Sequence, residues 1–225
     1  MGANDEALRA LYPFMHGDAP AAGRVQQELL DSVHAKAADS IAVKQAFFAR
    51  HAEAVIAAAE TVAASFRAGG TLFSMGNGGS SCDAAHIAVE FRHPVTTGRP
   101  ALRALDLGTD TAMITAVGND VGFRHVYLRQ IEAMARTGDC VVGFSTSGNL
   151  LAAFAKARAM GVSTIGIAGM SGGAMAASPD LDHCLVVESD SIHRVQECHV
   201  AIYHILWDLV HTLLADSRGP SGSSA

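Results

Sequence analysis

At 225 residues, 49% of them apolar, the chain is long enough for one substantial domain with a real core and room for a helical extension. A formal charge of −6 with no cluster of Lys or Arg weighs against a nucleic-acid groove. The four cysteines, Cys82, Cys140, Cys184 and Cys198, lack metal-finger spacing and read as reduced thiols of a cytoplasmic protein. Asp5 and Glu6 stand where a signal peptide would be basic and apolar, and no uncharged apolar run reaches the length of a membrane span.

Residues 4–15, with Leu8, Leu11 and Phe14, suggest a short helix. Residues 22–67 are rich in Ala and carry spaced apolar positions, among them Leu29, Val33, Ile41, Phe47, Val55, Ile56, Val62 and Phe66. The pattern predicts two helices broken near 38–41, the second stopped by Gly69-Gly70. From residue 71 the pattern alternates. Strands are expected at 71–75, 102–106, 139–144, 163–168 and 183–187, and helices at 80–92, 110–117, 122–135, 149–159 and 191–214. Short apolar runs alternating with helices predict an α/β fold, a parallel sheet covered on both faces. The expected division is therefore a helical N-terminal region (1–68), an α/β domain (69–216) and a disordered tail (217–225). Helices packed ahead of a complete α/β unit leave apolar positions that other subunits would cover.

Two strand-to-helix turns attract attention, because ligands of such sheets collect at the C-terminal ends of strands. Gly76-Asn77-Gly78-Gly79-Ser80-Ser81 follows the first strand, with Ser80 or Ser81 expected to cap the next helix. Glycines let the backbone approach an oxyanion, and the N–H groups of a helix start favour negative charge. The turn is not a GxGxxG fingerprint and has no P-loop lysine, so it does not read as a nucleotide site. Ser145-Thr146-Ser147-Gly148-Asn149 follows the third strand. Three consecutive hydroxyls before a helix can satisfy the oxygens of a phosphate.

His86 and Glu90 are four residues apart, which on a helix rotates them by only ~40° and leaves both on one face. The last helix carries Gln196, His199, His204 and His211 in an apolar setting. A mixed set of His, Glu and Gln suits a borderline divalent ion such as zinc, but spacing alone leaves His199, His204 and His211 as alternatives. Asn119-Asp120 reads either as a cap for the next helix or as a polar contact to a sugar hydroxyl.

The stretches GNGGSSCDAAHIAVEF (76–91), AVGNDVGF (116–123), GDCVVGFSTSGN (138–149) and RVQECHVAIYHILWDLVH (194–211) together resemble the phosphoheptose (sedoheptulose 7-phosphate) isomerases, a family of SIS-domain sugar isomerases. The resemblance implies a three-layer sandwich with a five-stranded parallel sheet, plus N-terminal helices that assemble a homotetramer with active sites at subunit contacts. It implies conversion of sedoheptulose 7-phosphate to D-glycero-D-manno-heptose 7-phosphate through a metal-stabilised enediolate. Carried over residue by residue, it implies zinc on His86, Glu90, Gln196 and His204, with Glu90 and His204 as the acid/base pair. It places the phosphate on Ser145, Thr146 and Ser147, and the sugar against Asn77, Gly78, Gly79, Glu90, Asn119, Asp120 and Gln196. It also admits an isomerase of another sugar phosphate, and a non-catalytic tetramer that binds a protein or senses a sugar phosphate. Three positions depart from the family pattern. Leu150 stands where a serine ends the phosphate loop, so one phosphate hydroxyl is expected to be missing. Phe91-Arg92-His93-Pro94 replaces Thr-Gly-Arg, and His193 stands where Asp is common.

Overall fold

The computed structural model describes residues 22–145 and 147–216; the helix expected over 4–15, Thr146 and the tail from Ser217 lie outside the described residues. A single helix, α1 (Ala22–Arg67), stands where two were expected. The reason lies in composition. From Arg24 to Ala68 there is neither Gly nor Pro, and polar residues such as Asp39 and Ser40 lower helix propensity without breaking it. The helix ends at glycine, as expected. Gly69 takes φ 78°, and the N–H groups of Gly69 and Gly70 bond back to the carbonyls of Phe66 and Ser65.

Contacts divide the chain into two compact units, one up to Asp39 and one from Ser40. The described part of the first unit is the opening stretch of α1, on which Leu29, Leu30 and Val33 are exposed. The second unit is the α/β body. Its strands are β1 (Leu72–Gly76), β2 (Ala104–Asp106), β3 (Cys140–Phe144), β4 (Ser163–Gly169) and β5 (His183–Val187). Between and after them run α2 (Gly79–Arg92), α3 (Thr111–Asp120), α4 (Val126–Met134), α5 (Gly148–Ala159), α6 (Gly173–Ala176) and α7 (Ile192–Asp216). The helix expected over 122–135 is split: Gly122, at φ 103°, opens a 3-10 turn (Phe123–His125) before α4. The four-residue α6 was not foreseen, because its Gly-rich sequence carries no helical period.

The described strands form one five-stranded parallel sheet in the order β2-β1-β3-β4-β5. Alternation along the strands feeds two apolar cores. Cys140, Val142 and Phe144 of β3 face a core shared with α1, α2 and α7, while Val141 faces one shared with α4 and α5. These are the three layers of the expected sandwich. The segment Ile192–Ala215 is long and apolar enough to cross a membrane by length and composition. Here it serves the core: Ile202, Tyr203, Leu206 and Val210 are buried, and Asp208 interrupts the apolar run.

Glycine is required where the chain leaves β1. A Cβ on Gly76 would lie 2.2 Å from the carbonyl oxygen of Ser80, a backbone atom that cannot swing aside. Gly118, in α3, has nothing within 4 Å of the same position. Gly76→Ala is therefore expected to destabilise the fold by about 1–3 kcal/mol, and Gly118→Ala to stabilise it by about 0.5–1 kcal/mol. Urea unfolding of the two variants checks the contrast; equal effects would mean the turn has slack that the structure does not show.

Candidate functional site

The strand order reverses direction at β1, and β3 is its in-register neighbour, with Gly76 opposite Phe144. The turns after β1 and β3 therefore leave the sheet side by side at the switch point, where such folds bind ligands. A reciprocal amide pair ties them together. Asn77 Nδ2 donates to Asn149 Oδ1 (2.8 Å), and Asn149 Nδ2 donates to Asn77 Oδ1 (3.1 Å). The buried Tyr127 hydroxyl donates to the Gly76 carbonyl and to Asn77 Oδ1. Sequence analysis singled out Asn77 but gave Asn149 and Tyr127 no role. Nothing in their spacing signals a partner 72 or 50 positions away.

The turn after β3 is strained. Ser145 takes φ 109°, a region that side chains other than Gly rarely occupy, and such outliers cluster at ligand sites. Its Oγ lies 3.0 Å from Ser147 Oγ. Ser147 is the N-cap of α5 by position, yet its side chain makes no cap bond. The Leu150 side chain is fully buried in the α4/α5 core, against Gly143, so the apolar residue packs beneath the turn.

The second cluster lies between α2 and α7. One potential ligand atom from each of His86, Glu90 and His204 falls within 4.8 Å of the others. His86 Nε2 is 3.2 Å from Glu90 Oε1, and the His86 and His204 rings meet edge-on at 5.0 Å between centroids. The pair on α2 keeps the face that its spacing predicted. Burial, reinforced by the neighbouring His86, lowers the His204 pKa, while Glu90 opposes that shift. His204 is therefore neutral at neutral pH, the form that binds a metal or accepts a proton. The other two histidines lie elsewhere: His199 is buried 3.6 Å from Asp83, and His211 packs on Phe91 and Trp207.

Gln196 sits against the start of α2, where a Cβ on Gly79 would lie 2.2 Å from its Nε2. It lines a cavity of about 130 Å³ together with Ser80, Ser145 and His199, so the hydroxyl turn and Gln196 open on one space. Ser80 and Ser81 do not cap α2. Gly78, at φ 55°, is the cap residue, and Ser81 Oγ donates to the Gly78 carbonyl. Asn119 and Asp120 end α3 on an exposed surface and bond to each other at 2.8 Å; they are not a cap for the 3-10 turn, which Gly122 opens. Beyond Glu90, Arg92 folds back onto the Ala88 carbonyl. Arg99 stacks 4.7 Å above Trp207 and pairs with Asp208, and Trp207 Nε1 donates to the Glu90 carbonyl. Exposed His193 stands at the start of α7.

The pattern of the SIS domain matches residues 37–169. The chain is similar to the phosphoheptose isomerase of Solidesulfovibrio magneticus, 44% identical over 182 residues, covering 80% of this chain and 88% of that one. Among solved structures it is similar to a phosphoheptose isomerase from Francisella tularensis (32% identity, TM-score 0.76, 81% of this chain and 98% of that one). It is equally similar to one from Neisseria gonorrhoeae (34% identity, TM-score 0.76, 82% and 99%).

The strained serine gives a test that separates stability from binding. Ser145→Gly removes an unfavourable φ and one hydroxyl together. It is expected to raise stability by about 1 kcal/mol and to weaken binding of inorganic phosphate by about tenfold or more. Urea unfolding and calorimetric phosphate titration check both; unchanged phosphate affinity would take Ser145 out of the anion site.

Proposed function

Because the chain belongs to the phosphoheptose isomerase family of SIS-domain proteins, we propose that it converts sedoheptulose 7-phosphate to D-glycero-D-manno-heptose 7-phosphate. The relatives it matches are named phosphoheptose isomerases, which supports sugar-phosphate isomerisation. The observation that carries the reading to this chain's own residues is the His86–Glu90–His204 cluster, whose ligand atoms converge within 4.8 Å.

Two imidazoles and a carboxylate at that spacing fit a divalent ion of borderline softness, and zinc, one per subunit, is the ion proposed. Gln196, on the same helix as His204, is the proposed fourth donor. When bound, zinc supplies Lewis acidity to the C1–C2 oxygens of the open-chain sugar and lowers the energy of enediolate charge.

The remaining work falls to side chains. Ser145, Thr146 and Ser147 hold the phosphate end, with the start of α5 adding its favourable N-terminal field. Asn77, Gly78 and Gly79 line the sugar, held in place by the Asn149 amide. Glu90 takes the proton from one carbon of the C1–C2 pair. His204 supplies or relays the proton on the other side, and the roles reverse in the back reaction. A neutral His204 suits this, because the neutral ring can accept a proton and its conjugate acid, with a lowered pKa, readily returns it.

A homotetramer with active sites at subunit contacts completes the proposal. Leu29, Leu30, Val33, Ile41 and Ile56 are exposed along α1, apolar side chains that other subunits would cover. Asn119 and Asp120, exposed at the end of α3, would touch sugar across such a contact. The four free thiols accord with a cytoplasmic setting.

The test is conversion of sedoheptulose 7-phosphate, followed by NMR, with chelated and zinc-restored protein side by side. Zinc-dependent turnover is expected, reduced about 100-fold or more in Glu90→Gln and in His204→Ala. Near wild-type turnover in zinc-loaded Glu90→Gln would remove Glu90 as the base. No turnover by folded, zinc-loaded wild type would move the activity to another sugar phosphate.

A further inference from the structure

We propose that Tyr203 is a positioning residue for His86, its hydroxyl deciding which ring nitrogen His86 presents toward Glu90 and His204. The inference rests on reading those three residues as the metal site.

Tyr203 precedes His204 on α7, so the helical step turns it away from the cluster opening and into the core, where it is 1% exposed. Its ring stands edge-on to His86, His204 and Phe144, at 5.3, 4.8 and 5.9 Å between centroids. Its Oη lies 2.7 Å from His86 Nδ1, while the opposite nitrogen, Nε2, faces Glu90 at 3.2 Å. The tyrosine thus grips the ring at the nitrogen that is not turned to the cluster. A tyrosine hydroxyl carries its proton at neutral pH.

A neutral hydroxyl both donates and accepts, and this gives His86 two satisfied arrangements without moving either ring. With no ion present, the Tyr203 O–H donates to Nδ1 and the Nε2–H donates to Glu90. With an ion present, the Nδ1–H donates to Tyr203 Oη and the Nε2 lone pair is free to ligate. Outer hydrogen bonds of this kind fix the tautomer and orientation of ligating histidines. The His86 side chain is 42% exposed, so it needs such a tie more than a fully enclosed ring would. A phenylalanine would fill the same space and lose both arrangements. That difference separates a positioning role from simple packing.

The experiment compares full-length wild type and Tyr203→Phe by zinc chelator competition and by NMR of 15N-histidine-labelled protein, with His86→Gln used to assign signals. Zinc-loaded wild type is expected to show a slowly exchanging His86 Nδ1–H. Tyr203→Phe is expected to lose that signal and to bind zinc about 10- to 100-fold more weakly. Unchanged zinc affinity with the Nδ1–H retained in Tyr203→Phe would overturn the proposal, even if turnover fell. Should the variant fold poorly, wild type alone still decides: a zinc-loaded protein whose His86 carries its proton on Nε2, or shows no protected Nδ1–H, refutes it. Failure of wild type to bind zinc is a different result, which overturns the metal-site reading itself and this inference with it.

Discussion

The glycine turn and the hydroxyl turn form one rim because β1 pairs in register with β3. Adjacent parallel strands lie about 4.8 Å apart, so two turns leaving neighbouring strands at one level can bond side chain to side chain. With Gly76 opposite Phe144, the Asn77 and Asn149 amides meet and lock the glycine turn to the hydroxyl turn. Had β2 been inserted between them, the same residues would have stood about two strand spacings apart and the pair could not form. The order β2-β1-β3 is thus a condition for one ligand space rather than two separate turns.

The second condition is that α2 begins in the glycine turn. Residues 79, 86 and 90 share one rigid rod, so the glycine turn and the His86–Glu90 pair are spaced by helix geometry. Gly79 and His86 are separated by about 10 Å along the axis. α7 closes the same rod from the other side. Gln196 meets Gly79 near its start, Tyr203 meets His86 in its middle, and Trp207 meets the Glu90 carbonyl near its end. These three contacts fall close to one face of α7, which is why a single helix can meet α2 at successive levels.

Much of this was legible in the sequence where the signal is local. Strand runs such as CVVGF and the i,i+4 spacing of His86 and Glu90 depend on neighbours within one element, and the structure keeps them. The break expected near residues 38–41 was not legible correctly. Polar residues in an Ala-rich run mimic a boundary, and without Gly or Pro the helix continues. The choice among His199, His204 and His211 depends on which side of α7 faces α2, a tertiary fact that spacing left open and resemblance alone supplied. The Asn77–Asn149 pair, the grip of Tyr203 on His86 and the strained Ser145 are equally non-local. Each is set by how elements dock, and the residues themselves are ordinary.

Leu150 shows why a motif departure has to be read through packing. Compared with the serine-ended loop of the family, the chain replaces a hydroxyl with a branched apolar side chain one residue beyond Asn149. That side chain is wholly buried against Gly143, where a Cβ on the glycine would come within 3.2 Å of its Cδ2 and 2.6 Å of Phe154 Cζ. The glycine leaves the space, and the leucine and phenylalanine fill it. Leu150 therefore forms part of the floor under the turn and leaves its rim to Ser145 and Ser147, whose hydroxyls meet at 3.0 Å. That floor also bears on the strain at Ser145. A residue held at φ 109° persists only where its surroundings fix it, and here they do so from two sides: the Ser145 N–H is bonded to the Ile167 carbonyl of β4, and Leu150 is wedged into the core below. The departure and the strained serine belong to one arrangement, in which apolar packing under the loop supports its polar rim.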